Sequence, residues 1–150
     1  MFDADSIKKA LMNILEKELE EENIYLLDLQ VKGTGRKFRI VLTIDKKNGI
    51  TIRDTEKWAE RLINILKVEG IYIEPEIEVT SPGLDRELKS EREYLWAKGK
   101  RVKIITKDRE FKGHLLDFKE NLFYIVIGEN LIKIPVEEVK KIKLYEMEEF

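Results

Sequence analysis

The chain has no cysteine, one histidine and three prolines among its 150 residues. Without cysteine there is no disulfide, no thiolate nucleophile and no cysteine-ligated zinc, and the composition fits a reducing compartment. One histidine, His114, cannot build a metal site alone, and its neighbours Leu115 and Leu116 point to packing within a strand. No run approaches the roughly 18 apolar residues that a membrane span needs. Asp3, Asp5, Lys8 and Lys9 break up any secretory core at the start, so a cytoplasmic protein is expected. Neither a phosphate-cradling glycine loop nor a dinucleotide fingerprint occurs, and there is no internal repeat. An excess of one charge is also missing. The formal net is -2, which excludes coating of nucleic acid by bulk charge but leaves local contact open.

What is present is 43% hydrophobic and 39% charged, enough for one ordinary domain or two small ones. Ile7, Ala10, Leu11, Ile14, Leu15 and Leu19 recur at helical spacing, predicting a helix over Asp5 to Glu20 capped by Asp3 or Asp5. The period then changes to two. Leu27, Leu29 and Val31 mark one strand, and Phe38, Ile40, Leu42 and Ile44 mark a second, antiparallel to it across the turn Lys32-Gly33-Thr34-Gly35. Thr51 and Asp54 form a capping box for a second helix, whose expected inner face is Thr55, Trp58, Ala59, Leu62, Ile63 and Leu66. A third strand covers Tyr72 to Val79, with Glu74, Glu76 and Glu78 on the wet side.

Beyond it, a short helix over Ser90 to Ala97 precedes five short strands in about 50 residues, which predicts a small closed barrel because closure removes sheet edges. The fold class expected is α+β in two domains. Residues 1-80 form a two-helix, three-strand domain, 81-98 a joint, and 99-150 a five-stranded barrel. Glu146 to Phe150 read as a frayed tail.

Catalysis finds no support. Ser81 is followed by proline and lacks both the glycine frame of a hydrolase elbow and a nearby base, so its hydroxyl serves a turn. Glu74, Glu76 and Glu78 suit a solvated face better than a divalent ion. Two basic clusters carry more information: Lys32, Arg36, Lys37 and Arg39 around the first hairpin, and Lys98, Lys100, Arg101, Lys103, Lys107, Arg109 and Lys112 in the second half. Such clusters attract and position phosphates or an acidic partner without choosing sequence, and they suit a solubilising surface equally. No aromatic platform for stacking bases is visible.

The stretch Ser81-Pro82-Gly83-Leu84-Asp85-Arg86 is best read as a joint. Pro82 fixes one torsion, Gly83 permits the positive φ of a type II turn, Leu84 and Leu88 plug an interface, and Asp85 and Arg86 tie the flanking backbone.

This stretch, with Tyr72-Ile73-Glu74 before it and Gly99-Lys100-Arg101-Val102-Lys103-Ile104 after it, resembles the bacterial ribosome maturation factor family, RimP. Leu26-Leu27-Asp28-Leu29, Arg39 to Asp45, Phe111-Lys112-Gly113-His114-Leu115-Leu116, Ile132-Lys133-Ile134-Pro135 and Glu138 to Lys141 extend the likeness over nearly the whole chain. Two positions depart from the family pattern: Glu87 stands where proline is usual, and Lys47-Asn48-Gly49 replaces a Pro-Gly-Gly turn. The resemblance implies a KH-like N-terminal domain and an Sm- or SH3-like barrel. It implies a monomeric, non-enzymatic assembly factor, without cofactor or metal, that binds the free small (30S) ribosomal subunit. The implied partners are ribosomal RNA and a ribosomal protein near the decoding region. The two basic clusters and the joint are then expected to form the docking face. The alternative from another class is a generic Sm-like RNA- or protein-binding module that oligomerises; an enzyme using scattered acids is the weakest rival.

Overall fold

Asp3 starts the first helix by accepting a 2.8 Å bond from the Ser6 amide, and α1 runs Ala4–Glu21. In this computed structural model residues 2–145 are described; the expected tail, Glu146 to Phe150, lies outside them. Ile7, Leu11, Leu15 and Leu19 are all fully buried, one residue per turn of the helix, as the stripe predicted. The chain falls into two compact units, Met1–Pro82 and Gly83–Phe150.

In the first unit, β1 (Ile24–Thr34) pairs antiparallel with β2 (Lys37–Lys46), and β3 (Glu74–Thr80) adds parallel to β2. A parallel neighbour needs a crossover, and α2 (Ile52–Val68) supplies it. Phe38, Ile40, Leu42 and Ile44 are buried together with the α1 stripe. Two details differ from the periodic reading. A bulge between Leu26 and Asp28 shifts the pleat, so that Leu26 and Leu27 are both buried. The inner face of α2 is Trp58, Leu62, Ile65 and Leu66, while Ile63 is 39% exposed.

The capping box at the start of α2 is present in full. Asp54 N donates to Thr51 Oγ1 at 3.1 Å, and Thr51 N donates to Asp54 Oδ2 at 2.9 Å. That backbone bond, helped by Lys46 Nζ at 2.9 Å, lowers the Asp54 carboxyl from 3.8 to about 2. The folded state therefore gains from the ionised carboxylate above the ordinary aspartate range and loses that gain as pH falls from 3.8 towards 2. Thr51→Ala should cost about 1 kcal/mol. Urea titrations at neutral pH and in acid should show the Asp54→Asn deficit at neutrality and its disappearance in acid.

The second unit opens with α3 (Glu91–Trp96), capped by Ser90, and continues as β4 (Arg101–Thr106), β5 (Glu110–Lys119), β6 (Leu122–Ile127), β7 (Asn130–Pro135) and β8 (Val139–Leu144). All five strands pair antiparallel in the order β7-β6-β5-β4-β8. The hairpin turns follow local chemistry: Glu120 and Asn121 both take positive φ, the type I′ requirement, and Gly128 takes φ 62°. Val102, Ile104, Leu115, Phe123, Ile125, Ile134 and Ile142 fill the interior.

The expected barrel closure is not found. No ladder joins β7 to β8, which are linked by a 3-10 turn over Val136–Glu138. A groove of about 860 Å³ lies beside the open side, floored by Phe111, Ile132 and Ile134. The unit is an open five-stranded sheet with two edges.

Candidate functional site

The first hairpin turns on Gly35 and Arg36 between the partners Thr34 and Lys37. Gly35 has φ 64° at the first central position, where a type II′ turn wants glycine. Gly33 is required for a different reason: a Cβ there would overlap the Lys37 carbonyl oxygen and stand 2.7 Å from Phe38 Cα. The turn thus presents Lys32, Arg36 and Lys37, all exposed and in no ion pair among the described residues.

Arg39 behaves otherwise. The parallel register sets it beside Glu76, and its Nη1 and Nη2 meet Glu76 Oε1 and Glu78 Oε1, each at 2.7 Å. Those glutamates are therefore a cation clamp as well as a wet face.

The second cluster is dispersed over β4, β5 and their neighbours, and most of its cations have partners. Lys98 Nζ lies 3.0 Å from Asp117 Oδ1, and Lys103 Nζ lies 2.7 Å from Glu110 Oε1. These bonds hold both carboxyls below their ordinary range; the Phe118 amide adds to the effect at Asp117. Lys100 sits over the Trp96 ring at 4.9 Å, Lys112 over Tyr145 at 4.9 Å, and Arg109 over Phe111 at 5.6 Å. Arg101 is half-buried, with His114 opposite it in the ladder. Lys107 alone of the expected set is an exposed lysine here with neither ion pair nor ring contact among the described residues.

The joint residues also sort differently from the sequence reading. Ser81 and Pro82 end the first unit and Gly83 begins the second. Gly83 does not take a positive φ; it is the first residue of a turn closed by Arg86 N donating to Gly83 O at 3.3 Å. Leu84 is 69% exposed, and Asp85 is exposed. Arg86 and Leu88 belong to the second unit. Leu88 is buried, its amide donating to Ile142 O at 2.8 Å, while Leu144 N donates to Arg86 O at 2.9 Å. Arg86 Nε reaches Glu93 Oε2 at 2.8 Å, and Glu93 Oε1 accepts from Lys89 N and Ser90 Oγ. Sequence reasoning missed Glu93. The signal available was its place three residues after the cap Ser90, the spacing of a capping box.

Among the described residues no group of three or more His, Asp or Glu side chains is placed to hold a metal ion. No helix there is long and apolar enough to cross a membrane.

These features define a class: a two-unit α+β protein with a cationic hairpin on an α/β layer, followed by an open antiparallel sheet. Residues 14–85 match the family model for the RimP N-terminal domain, and this match supports the RimP ribosome maturation factor family. The match covers α1 from its middle, the whole three-stranded sheet and the chain as far as Asp85.

Proposed function

We propose that this protein binds the free small ribosomal subunit in the cytoplasm and assists its assembly as a monomer, by contact rather than by bond-making chemistry. The partners are ribosomal RNA and a small-subunit ribosomal protein near the decoding region. The match to the RimP N-terminal domain supports the maturation role. One observation carries the choice of surface: in a chain that pairs many of its cations, Lys32, Arg36 and Lys37 are grouped at one hairpin tip without ion pairs among the described residues. Lys107, in the β4–β5 turn, is the second contact.

Cations already engaged, such as Arg39, Lys98 and Lys103, must exchange one anion for another and gain less. Lys100, Arg101 and Arg109 are further cations of the second unit, and residues 81–85 join the two units. A near-neutral chain with a few local cations adheres weakly elsewhere, so a factor of this kind can leave once assembly is complete.

The test is cosedimentation with free small subunits and with whole ribosomes across a range of salt. Changing Lys32, Arg36 and Lys37 together to glutamine should weaken small-subunit binding and reduce the slope of log affinity against log salt by about 3. The Lys98→Gln and Lys103→Gln pair should change it less. An unaltered slope in the triple variant defeats the assignment of the tip, and equal binding to whole ribosomes defeats the maturation reading.

A further inference from the structure

An open sheet has two edges, and the chain treats them differently. The β7 edge pairs with no further strand among the described residues. The β8 edge is covered over part of its length by Arg86–Leu88, which runs antiparallel to it with Glu87 opposite Lys143. Tyr145 N bonds Arg101 O on the β4 side, so the alternation of the strand turns Ile142 O and Leu144 N outward, where Leu88 and Arg86 meet them.

Three side chains secure this strap, each in its own subsite. Arg86 enters the carboxylate of Glu93, whose side chain is 5% exposed. Glu87 faces Lys141 at 3.7 Å, beside the further lysines Lys140 and Lys143. Leu88 is buried at 3% exposure. Successive strand residues point to opposite faces, so Arg86 and Leu88 go inward and Glu87 stays out. The strap is short, and it follows directly on a turn with an exposed leucine, Leu84. It is a tripeptide bound to a built site.

We propose that the outer edge of β8 is a strand-docking site for an extended segment of a partner protein, carrying a basic, an acidic and a branched apolar residue in succession, and that Arg86–Leu88 is its built-in competitor. Backbone bonds to Ile142 and Leu144 supply the strand addition; Glu93, Lys141 and the Leu88 pocket supply selectivity. The strap must open for the partner to enter.

The probe is a fluorescent synthetic peptide copying Leu84 to Ser90, added to the full chain. In the parent, the strap outcompetes it and anisotropy stays flat at low peptide concentration. In the full chain carrying Glu87→Lys and Leu88→Ser, which weaken the strap and leave β8 and Glu93 intact, the peptide should bind. That binding should fall with salt and be lost when the peptide itself carries Glu87→Lys. A folded strap variant with an exchange-exposed Leu144 amide that binds no peptide overturns the proposal. Hydrogen exchange of the parent decides independently of any variant. The Leu88 and Leu144 amides should exchange at least tenfold faster than those of the β5–β6 ladder; exchange in step with that ladder means that the strap opens only on unfolding, and overturns it as well. Sedimentation of the parent separates a second copy's strap as the occupant: mass rising with concentration would give the site to a homodimer and overturn the choice of a foreign partner.

Discussion

Gly113→Ala is expected to destabilise the second unit by about 3 kcal/mol, the upper range for overpacking a close-fitted site. The strand β5 changes partner at this point: Glu110 to His114 pair with β4, and His114 to Lys119 pair with β6. Three backbones converge where it crosses. A Cβ on Gly113 would overlap the Val126 carbonyl oxygen and stand 2.9 Å from Ile127 Cγ1 and 3.1 Å from Ile125 Cγ1. The isoleucine side chains can adjust, but the carbonyl belongs to the β6 backbone and cannot. A loss of that size in a unit of this length lowers its melting temperature by more than about 10 °C. Hydrogen exchange followed strand by strand should show β5 and β6 loosened while β1 and β2 keep their protection.

Gly83→Ala is the control. Its φ is not positive and the nearest atom to an added Cβ is Asp85 Oδ1 at 3.6 Å, so the change should stay within about 0.5 kcal/mol. Equal losses from the two substitutions would show that the crossing at Gly113 is loosely packed.

The contrast between these glycines shows where sequence reading ends. Gly83 lies in the most recognisable stretch of the chain, where a type II turn would give it the special torsion; Gly113 lies within an expected barrel strand, and it is Gly113 that has the special environment. Features written in local period were legible: the α1 stripe, the Thr51–Asp54 box and the bounds of β6 and β8; the first hairpin was legible too, but β1 runs on through Thr34 and the turn is Gly35-Arg36 rather than Lys32 to Gly35. Features that depend on what comes alongside were not. The parallel register of β2 and β3 joins Arg39 to Glu76 and Glu78, 37 and 39 residues away, and no local pattern announces it. A one-residue bulge buries Leu26 beside the expected Leu27, which strict alternation would put on opposite faces. Barrel closure was inferred from the cost of bare edges, whereas the chain lowers that cost by laying Arg86–Leu88 along β8. For the candidate site, the cations were legible as residues, yet their availability was not. Only pairing geometry separates Lys32, Arg36 and Lys37 from Arg39, or Lys107 from Lys103.

The Arg86–Glu93 pair should give the other large effect. Glu93 lies in the first turn of α3, where its ionised carboxylate also suits the positive end of the helix. It is 4% exposed, and its two oxygens accept from Arg86 Nε, the Lys89 amide and the Ser90 hydroxyl. Removing a buried charge's partner costs about 3–5 kcal/mol, because the remaining ion keeps its desolvation without its compensation. Glu93→Ala should fall in that range, since it strips a cation of its buried carboxylate and frees two further donors. Arg86→Met should cost less, about 2 kcal/mol, because the Lys89 and Ser90 donors still satisfy one oxygen. Combining Arg86→Met with Glu93→Gln removes both charges at nearly constant volume, and the double variant should be more stable than the sum of its single losses predicts by about 1–3 kcal/mol. Urea unfolding of the parent, Arg86→Met, Glu93→Gln and the double variant, followed through Trp96 in the last turn of α3, measures that difference directly. An additive cycle would mean that the pairing of Arg86 with Glu93 contributes nothing to keeping the strap on β8.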